Sequence, residues 1–454
     1  MKTTNRFRFI HTILLRLWQG SGILLMVGLA GFLSGPVAEA ANTPVTFSTS
    51  QTDFSIGANY STAITPTAAT TSDVVLSGSY STTTFTINGA ALNFGTLNDL
   101  DTTQSLVISN ANATAGSITL NTASNSVSGT AGDLLYVKSG ANLAIQSGAG
   151  ILTLNLAANG NINNAGTLSI SAPVSIATGD TIAFTGAGVT TVGGNIAATS
   201  GAINVNDAGG SVILSGTNLY TGLTTVTSGT LQLGPGGSIN SGNALTTNAG
   251  GVFDINGNAQ TLGLLNNGGI VTNSGAGTTL TMGNGSTGAG SFTGAMNIIW
   301  NQGAASTAIG GAGFTNTGSL TLNANGAGTI TLSGAVNNTG AITNSGAGSG
   351  GVTIANIGGN VTGVTENSTT SSLTLSGSNS GYAGTTTLTA GRMLFNVSGN
   401  TTVLGSGTFA ITSGTFDAVS GANIVFTTTN AQDWNGNFTD NGSHLITFGT
   451  GAIT

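Results

Sequence analysis

Short runs of alternating apolar and polar residues fill most of this sequence. One run places apolar residues at Leu152, Leu154 and Leu156, and a later run places them at Leu168 and Ile170. Such runs recur roughly every 10–12 residues. Alternation with a period of two is the pattern of a β-strand, because successive side chains point to opposite faces. Gly-Gly, Asn-Gly and Ser-Gly pairs between the runs favour tight turns. The pattern therefore predicts an all-β chain.

Internal self-similarity indicates how these strands are arranged. Residues 266–277 (NNGGIVTNSGAG) resemble 337–348 (NNTGAITNSGAG), and residues 214–231 resemble 375–394. Repeated strand-and-turn units are typical of a solenoid, in which each turn pairs with its neighbours about 4.8 Å away. Polar side chains can then stack as Asn or Thr ladders. We predict one continuous stack of roughly 15–20 turns. The alternatives are a disordered low-complexity chain and an amyloid-like one.

The chain is almost free of charge. Its 454 residues include six Lys+Arg, thirteen Asp+Glu and 74 glycines, with no cysteine. The absence of cysteine excludes disulfides and Cys-based zinc sites. The scarcity of basic residues argues against a nucleic-acid partner, and the abundance of Gly, Thr, Ser and Asn argues against a helical bundle. Like charges stacked on successive turns would repel each other, so low charge fits a solenoid.

The N-terminus has the three parts of a secretory signal peptide. Four of the six basic residues precede an apolar run at 23–33, and Ala38-Glu39-Ala40 supplies a small-residue cleavage site. We predict a signal peptide over residues 1–40, cut after Ala40, and therefore an exported protein at the cell surface or outside the cell. After residue 40 no apolar run is long enough for a transmembrane helix.

The rest of the chain divides by regularity. Residues 41–95 have the least regular spacing and contain Pro44 and Pro66. An open solenoid end exposes unpaired strand edges that invite aggregation, so we predict an N-terminal cap over 41–95. Residues 96–454 form the predicted β-helical repeat region. This region ends in a repeat-like stretch, so we expect either that it is incomplete at its C-terminus or that the protein leaves the cell by another route.

Two segments carry a family resemblance. Residues 211–239 (SVILSGTNLYTGLTTVTSGTLQLGPGGSI) resemble the autotransporter-associated β-strand repeat, and residues 373–395 resemble a looser copy with Arg392 and Met393 where Thr and Leu are expected. Residues 250–265 and 431–454 resemble the sequence that follows such repeats. The matching positions are Leu214, Ser215, Gly216, Asn218, Tyr220, Gly222, Thr224, Thr225, Gly229, Thr230 and Leu231, then Leu375, Ser376, Gly377, Asn379, Tyr382, Gly384, Thr385, Thr386 and Gly391.

The resemblance implies a right-handed parallel β-helix of the kind found in passenger domains of autotransporters, which are displayed at the outer membrane. It implies no enzyme, because the family has no catalytic residues to carry over. Autotransporters also end in a β-barrel of long alternating strands, and the sequence up to Thr454 contains no such strands.

Few residues are candidates for chemistry. His444 lies close to Asp440 and Ser443, but catalytic triads are normally assembled from separate elements, so we expect a solvated turn. Asp99 and Asp101 are a close acidic pair that a calcium ion would need to supplement with further oxygen ligands, and we expect a polar loop there. We therefore assign no catalytic, cofactor-binding or metal-ligating residue.

The basic and aromatic residues are candidates for binding or degrading sugars. The basic residues that remain after signal cleavage, Lys138 and Arg392, are isolated in the sequence, which disfavours a polysaccharide-degrading site. Tyr220, Tyr382, Trp300 and Trp434 are candidate platforms for sugar rings. Tyr220 and Tyr382 occupy equivalent motif positions, so for them we favour packing at a corner of the solenoid.

The sequence supports three functional hypotheses. The first is an exported β-helical protein that acts as a structural stalk or adhesin, without enzyme activity or cofactors. The second is a carbohydrate-active β-helix enzyme, which requires acidic and basic residues to converge in one groove. The third is a self-assembling extracellular fibre or matrix component. The partner is unknown, with surface glycans and self-association as the candidates.

Overall fold

The computed structural model describes residues 43–47, 51, 53–60, 69–122, 125–128, 130, 132–442 and 444–454. The predicted signal peptide and Ser443 lie outside these residues. Apart from one 3-10 turn at Gly57–Asn59, the regular structure of the described residues consists of β-strands. The all-β prediction is therefore confirmed.

The strands are short. In the N-terminal half they are β1 (Thr43–Thr46), β2 (Ala69–Leu76), β3 (Thr84–Thr86), β4 (Ala91–Asp99), β5 (Ser105–Ser109), β6 (Gly116–Leu120), β7 (Asp133–Val137), β8 (Asn142–Ile145), β9 (Leu152–Leu156), β10 (Gly160–Asn164), β11 (Thr167–Ile170), β12 (Val174–Ile176), β13 (Thr181–Thr185), β14 (Val189–Val192), β15 (Ala202–Leu214), β16 (Thr217–Asn218), β17 (Thr224–Leu233), β18 (Ser238–Ile239), β19 (Ala244–Thr247), β20 (Gly251–Asp254) and β21 (Gln260–Leu262). In the C-terminal half they are β22 (Leu264–Asn267), β23 (Ile270–Thr272), β24 (Thr278–Met282), β25 (Thr287–Gly288), β26 (Ser291–Phe292), β27 (Met296–Gln302), β28 (Thr307–Ile309), β29 (Gly313–Phe314), β30 (Leu320–Ala324), β31 (Ile330–Val336), β32 (Ala341–Asn344), β33 (Val352–Ile357), β34 (Gly363–Glu366), β35 (Ser372–Ser376), β36 (Thr385–Leu388), β37 (Arg392–Asn396), β38 (Gly399–Thr401), β39 (Phe409–Ile411), β40 (Gly414–Ala418), β41 (Ile424–Phe426), β42 (Gln432–Trp434), β43 (Phe438–Asp440) and β44 (Ile446–Thr447).

Parallel pairing stacks these strands into a β-solenoid of about 17 turns. Three columns of paired strands run along it. The first column is β21, β24, β27, β30, β32, β34, β36, β39 and β42. The second is β22, β25, β28, β31, β33, β35, β37, β40 and β43. The third includes β17, β20, β23, β26 and β29. Each turn therefore contributes several short strands, which explains the short sequence spacing, and the predicted parallel β-helix is confirmed.

Alternating residues fill the core. In both Leu152–Leu156 and Leu320–Ala324 the even-numbered residues are apolar and buried, and the Thr and Asn between them are half-buried on the outside. Burying each Leu or Ile side chain contributes about 2 kcal/mol. Each of these two strands therefore contributes three apolar side chains to the core.

Aromatic clusters lie towards the two ends of the described stack. Near the N-terminus, Phe47 stacks on Phe54 with ring centroids 4.4 Å apart, and Tyr60 packs edge-on against Phe47. These residues belong to the predicted cap, 41–95. The division at residue 95 stays a prediction, and β4 runs across it. Near the C-terminus the clustered rings are Phe395, Phe409, Phe416, Phe426, Phe438 and Phe448.

Buried asparagines tie three turns together at the repeat motif. The Oδ1 atom of Asn379 accepts a hydrogen bond from Ile357 N, 22 residues earlier, and its Nδ2 donates to Val403 O at 2.7 Å. Asn218 makes the same two contacts, with Ile196 N and Ser238 O. A buried amide side chain needs such partners, so this motif position has a structural role in both copies.

The self-similar segments do not occupy equivalent sides of the solenoid. Leu214 pairs with Leu233 in the third column, whereas Leu375 pairs with Ile354 and Phe395 in the second. The similar segments 266–277 and 337–348 also lie on different sides. The first contains β23 of the third column, and the second contains β32 of the first column. Residues 214–231 cover nearly one whole turn, because Leu214 pairs with Leu233 one turn later. The similar segments therefore begin on different sides of a turn.

Glycine allows successive corners to stack closely. A Cβ atom placed on Gly194 would lie 1.9 Å from Ala172 O, on the preceding turn. The same closeness recurs at Gly407, where the added atom would lie 1.9 Å from Gly384 O. At these corners glycine is required by the backbone of the neighbouring turn, whatever its own backbone angles.

This close approach makes a testable prediction at two adjacent glycines. Gly194→Ala should lower the free energy of unfolding by about 1–3 kcal/mol, because the methyl group would force neighbouring backbones apart. Gly193→Ala is the matched control, since its added Cβ would meet Ser171 Cα at an ordinary 3.8 Å. Urea unfolding measures both variants, and equal destabilisation of the two would contradict the role given to the corner.

Candidate functional surfaces

A row of threonines lies on the outside of the first column. Thr321, Thr343, Thr365 and Thr387 pair in register on four successive turns. We call these four residues the threonine ladder. All four are half-buried, and their strands turn the alternate residues into the core. Because the strand spacing is about 4.8 Å, the ladder presents hydroxyl and methyl groups at a regular interval.

Polar side chains on neighbouring turns bond to one another. Asn323 Nδ2 donates to Asn301 Oδ1 at 2.9 Å on the first column. On the third column, Thr293 Oγ1 donates to Thr272 Oγ1 at 2.8 Å. Such contacts between identical residues are the ladders that the sequence predicts, and they hold the outer side chains in fixed positions.

The sequence around Thr321, Thr343 and Thr365, the first three residues of the ladder, is uncharged. The sequence from 255 to 365 contains no Asp, Glu, Lys, Arg or His, and Glu366, which ends this stretch, is buried. Long-range electrostatic attraction therefore contributes little to what binds here. A partner of this surface must be recognised by hydrogen bonds and contact area.

The histidine candidate is not assembled into a catalytic group. His444 Nδ1 lies 3.3 Å from Ala418 O, and Asp440 Oδ1 accepts a hydrogen bond from Gly442 N at 3.1 Å. Each contact is with the backbone, and Ser443 lies outside the described residues. The structure thus places His444 and Asp440 at a turn with separate partners.

Arg392 is not isolated, which corrects the sequence-based expectation. Its Nη2 lies 3.2 Å from Asp417 Oδ2 on the next turn, and the Asp417 side chain is buried. Asn441 Nδ2 also donates to Asp417 Oδ2, at 3.1 Å. This is the only ion pair among the described residues. Lys138 is exposed.

The aromatic candidates are mostly internal. Tyr220, Tyr382 and Trp300 are fully buried, so they cannot stack on a sugar ring. The Tyr220 hydroxyl lies 2.7 Å from Thr224 Oγ1, and the Tyr382 hydroxyl donates to Thr385 O at 2.8 Å. The corner-packing interpretation of the two tyrosines is therefore confirmed. Trp434 is 39% exposed and packs edge-on against Phe438.

The acidic pair is buried, contrary to the expected polar loop. Asp99, the last residue of β4, is 0% exposed, and Asp101 is 3% exposed. Burial raises the pKa of the Asp99 carboxyl to about 7. In the part of the chain that the structure describes, no group of three His, Cys, Asp or Glu residues is placed to hold a metal ion.

A buried glutamate was not recognised from the sequence. Glu366 lies inside the first column, where Asn344 Nδ2 donates to its Oε2 and Ser368 N to its Oε1, both at 2.7 Å. Burial raises the pKa of its carboxyl to about 8, although these hydrogen bonds oppose the rise. Its position at the end of an alternating run was the available signal, because that run turns it towards the core.

Comparison with known proteins gives no relative. No protein-family model, curated protein or solved structure matches the chain. In the described residues, no helix has the length and apolar character needed to cross a bilayer. The evidence for a resemblance to the autotransporter-associated repeat is therefore the sequence motifs alone. The evidence for the β-solenoid fold is the structure.

The raised pKa of Glu366 predicts how the stability of the folded chain depends on pH. Its pKa in the folded chain is about 8, above the ordinary value of 4.5. The folded state therefore holds this proton more tightly, so its contribution to stability is full below pH 4.5 and is lost as the pH rises through 8. Glu366→Gln should flatten the fall in melting temperature between pH 5 and about 9, measured by circular dichroism.

The matched control for this measurement is Asp440→Asn, which removes one negative charge from an exposed position. This variant should keep the pH dependence of the wild-type chain. A Glu366→Gln chain whose melting temperature falls with pH as steeply as the wild type would show that Glu366 is not the titrating group.

Proposed function

We propose that this protein is an exported β-helical rod, displayed at the cell surface or secreted, that acts as a structural stalk or adhesin. Two observations support the proposal. Residues 1–40 have the sequence features of a signal peptide. About 17 stacked turns make a rod about 80 Å long.

The threonine ladder is the observation that carries the adhesive part of the proposal. Single hydroxyl contacts are weak, but identical groups on successive turns can engage a repetitive partner many times over. The sequence around Thr321, Thr343 and Thr365 is uncharged, so a neutral partner such as a surface glycan fits this part of the ladder better than a charged one. The role proposed is binding or support rather than catalysis.

Self-assembly is a second candidate, favoured by the same neutral surface. A surface without net charge lacks the repulsion that keeps chains apart. Two copies also share one turn spacing, so their ladders would match in period. Among the described residues one acidic and one basic side chain form an ion pair, Asp417 with Arg392, and the Asp417 carboxylate is buried. A single pair of this kind does not favour the carbohydrate-active enzyme, which requires several such residues in one groove.

The test uses full-length protein expressed with its N-terminus intact and collected outside the cells. Its intact mass should correspond to a chain that starts at Ala41. The double variant Thr343→Lys with Thr365→Lys should bind immobilised neutral glycans at least about tenfold more weakly, because two ammonium groups interrupt the repeated contacts. Surface plasmon resonance measures binding, and sedimentation velocity measures self-association.

The matched control is Thr353→Lys with Thr374→Lys, which places the same charges on successive turns of the second column. This control should bind as the wild type does. A chain that stays inside the cells with residues 1–40 still attached would contradict export. Equal loss of binding in both double variants would contradict the ladder, and a monomer that binds no glycan would leave a stalk as the remaining role.

A further inference from the structure

The threonine ladder belongs to a longer row of β-branched side chains on the first column. Thr261 of β21 pairs with Thr281 of β24, and Ile299 of β27 lies between Thr281 and Thr321. Six threonines and one isoleucine therefore follow one another on seven successive turns. Because β-branched side chains are stiff at χ1, the row repeats nearly the same side-chain shape from turn to turn.

The hydroxyl groups of the ladder are available to a ligand. Among the described residues, none of these four hydroxyls is hydrogen-bonded to another side chain or to the backbone. The outer threonines of the third column differ, since Thr293 donates to Thr272. A hydroxyl group can donate one hydrogen bond and accept two. The ladder therefore offers unused hydrogen-bonding capacity at the same place on each of its turns.

The residues beside the middle of the ladder are short. On one side Ala341 and Gly363 pair in register. On the other side Ser345 and Asn367 lie two residues beyond the ladder, and both are exposed. None of these four residues has a long or charged side chain. A flat ligand can therefore contact several threonines of the ladder together.

The ladder repeats at nearly the spacing of water molecules in ice. Each water in ice makes tetrahedral hydrogen bonds of about 2.75 Å, so two waters that share a neighbour lie about 4.5 Å apart. Successive threonines of the ladder lie about 4.8 Å apart. The difference of about 0.3 Å per turn reaches only about 1 Å across the whole ladder. The four hydroxyls can therefore stand at successive water positions of an ice surface.

We propose that the threonine ladder binds the surface of ice. Each hydroxyl takes the place of a lattice water, and the methyl group beside it restricts the orientation of the neighbouring waters. Ice is rigid and periodic, so several weak contacts form together without the cost of ordering a flexible ligand. Ice also carries no net charge, which fits the uncharged sequence around the first three ladder residues. A rod adsorbed in this way blocks the growth of the ice beneath it.

Thermal hysteresis tests the proposal with the purified full chain. This measurement gives the gap between the freezing and melting temperatures of a single ice crystal. The wild type should open a gap that widens with protein concentration. Thr343→Tyr with Thr365→Tyr should reduce the gap at least about tenfold, because two large rings hold the ladder away from the lattice and the repeated contacts are lost together. Tyrosine is favoured in strands, so this variant should fold, and its melting curve by circular dichroism checks that it does.

The matched control is Ser169→Tyr with Thr191→Tyr. These residues pair on adjacent turns, in β11 and β14, and both are half-buried on the outside. Their other neighbours are Ala144 and Ile213, so the control interrupts no threonine ladder. It should keep the gap of the wild type. A wild-type chain that opens no gap, or an equal loss in both double variants, would overturn the inference.

This inference rests on the threonine ladder of the proposed function, but it requires neither export nor glycan binding. The two proposals can therefore fail separately. A chain that binds neutral glycans through the ladder and opens no gap would overturn ice binding alone. A chain that opens the gap through the ladder and binds no glycan would support ice binding and contradict the adhesive role.

Discussion

Backbone hydrogen bonding between successive turns is the constraint on which the rest of this structure depends. Parallel pairing holds each turn about 4.8 Å from the next, so each side chain lies beside the residue one turn before it and one turn after it. Thr343 lies between Thr321 and Thr365 in this way. Residues that tolerate such neighbours, such as Thr, Asn and aliphatic residues, are therefore favoured, and like charges are not.

The same spacing explains the unusual composition. At Gly194 the Ala172 carbonyl of the previous turn lies where a Cβ atom would be. Glycine therefore allows the two turns to stack closely at this position. Asn379 connects the turns on both sides of its own, so asparagine serves as a bridge. The low charge, the glycines and the asparagines are thus consequences of one geometry rather than separate features. They also leave a neutral outer surface on which repeated weak contacts are the available means of binding.

Sequence reasoning could predict the strands and their stacking, because alternation and repetition are local and survive in any solenoid. It could not predict which column a segment joins. Leu214 and Leu375 occupy similar motif positions but lie in different columns, since the number of residues per turn varies along the chain. Contacts between turns depend on that register, which is why the pairing of Arg392 with Asp417 was missed. The burial of Asp99 was missed for a related reason, because it is paired with Leu76 and Val137, which are distant from it in sequence.

The most direct test of the stacked register uses cysteine pairs in a chain that has no native cysteine. Thr343→Cys with Thr365→Cys places two thiols on adjacent turns, within the Cα separation of about 4.4–6.8 Å that a disulfide needs. Thr343→Cys with Thr387→Cys places them two turns apart, at about 10 Å. Under mild oxidation the first pair should form an intramolecular cross-link and the second should not, as measured by the mass of a proteolytic fragment. Failure of the first pair, or equal cross-linking of both, would contradict the stack.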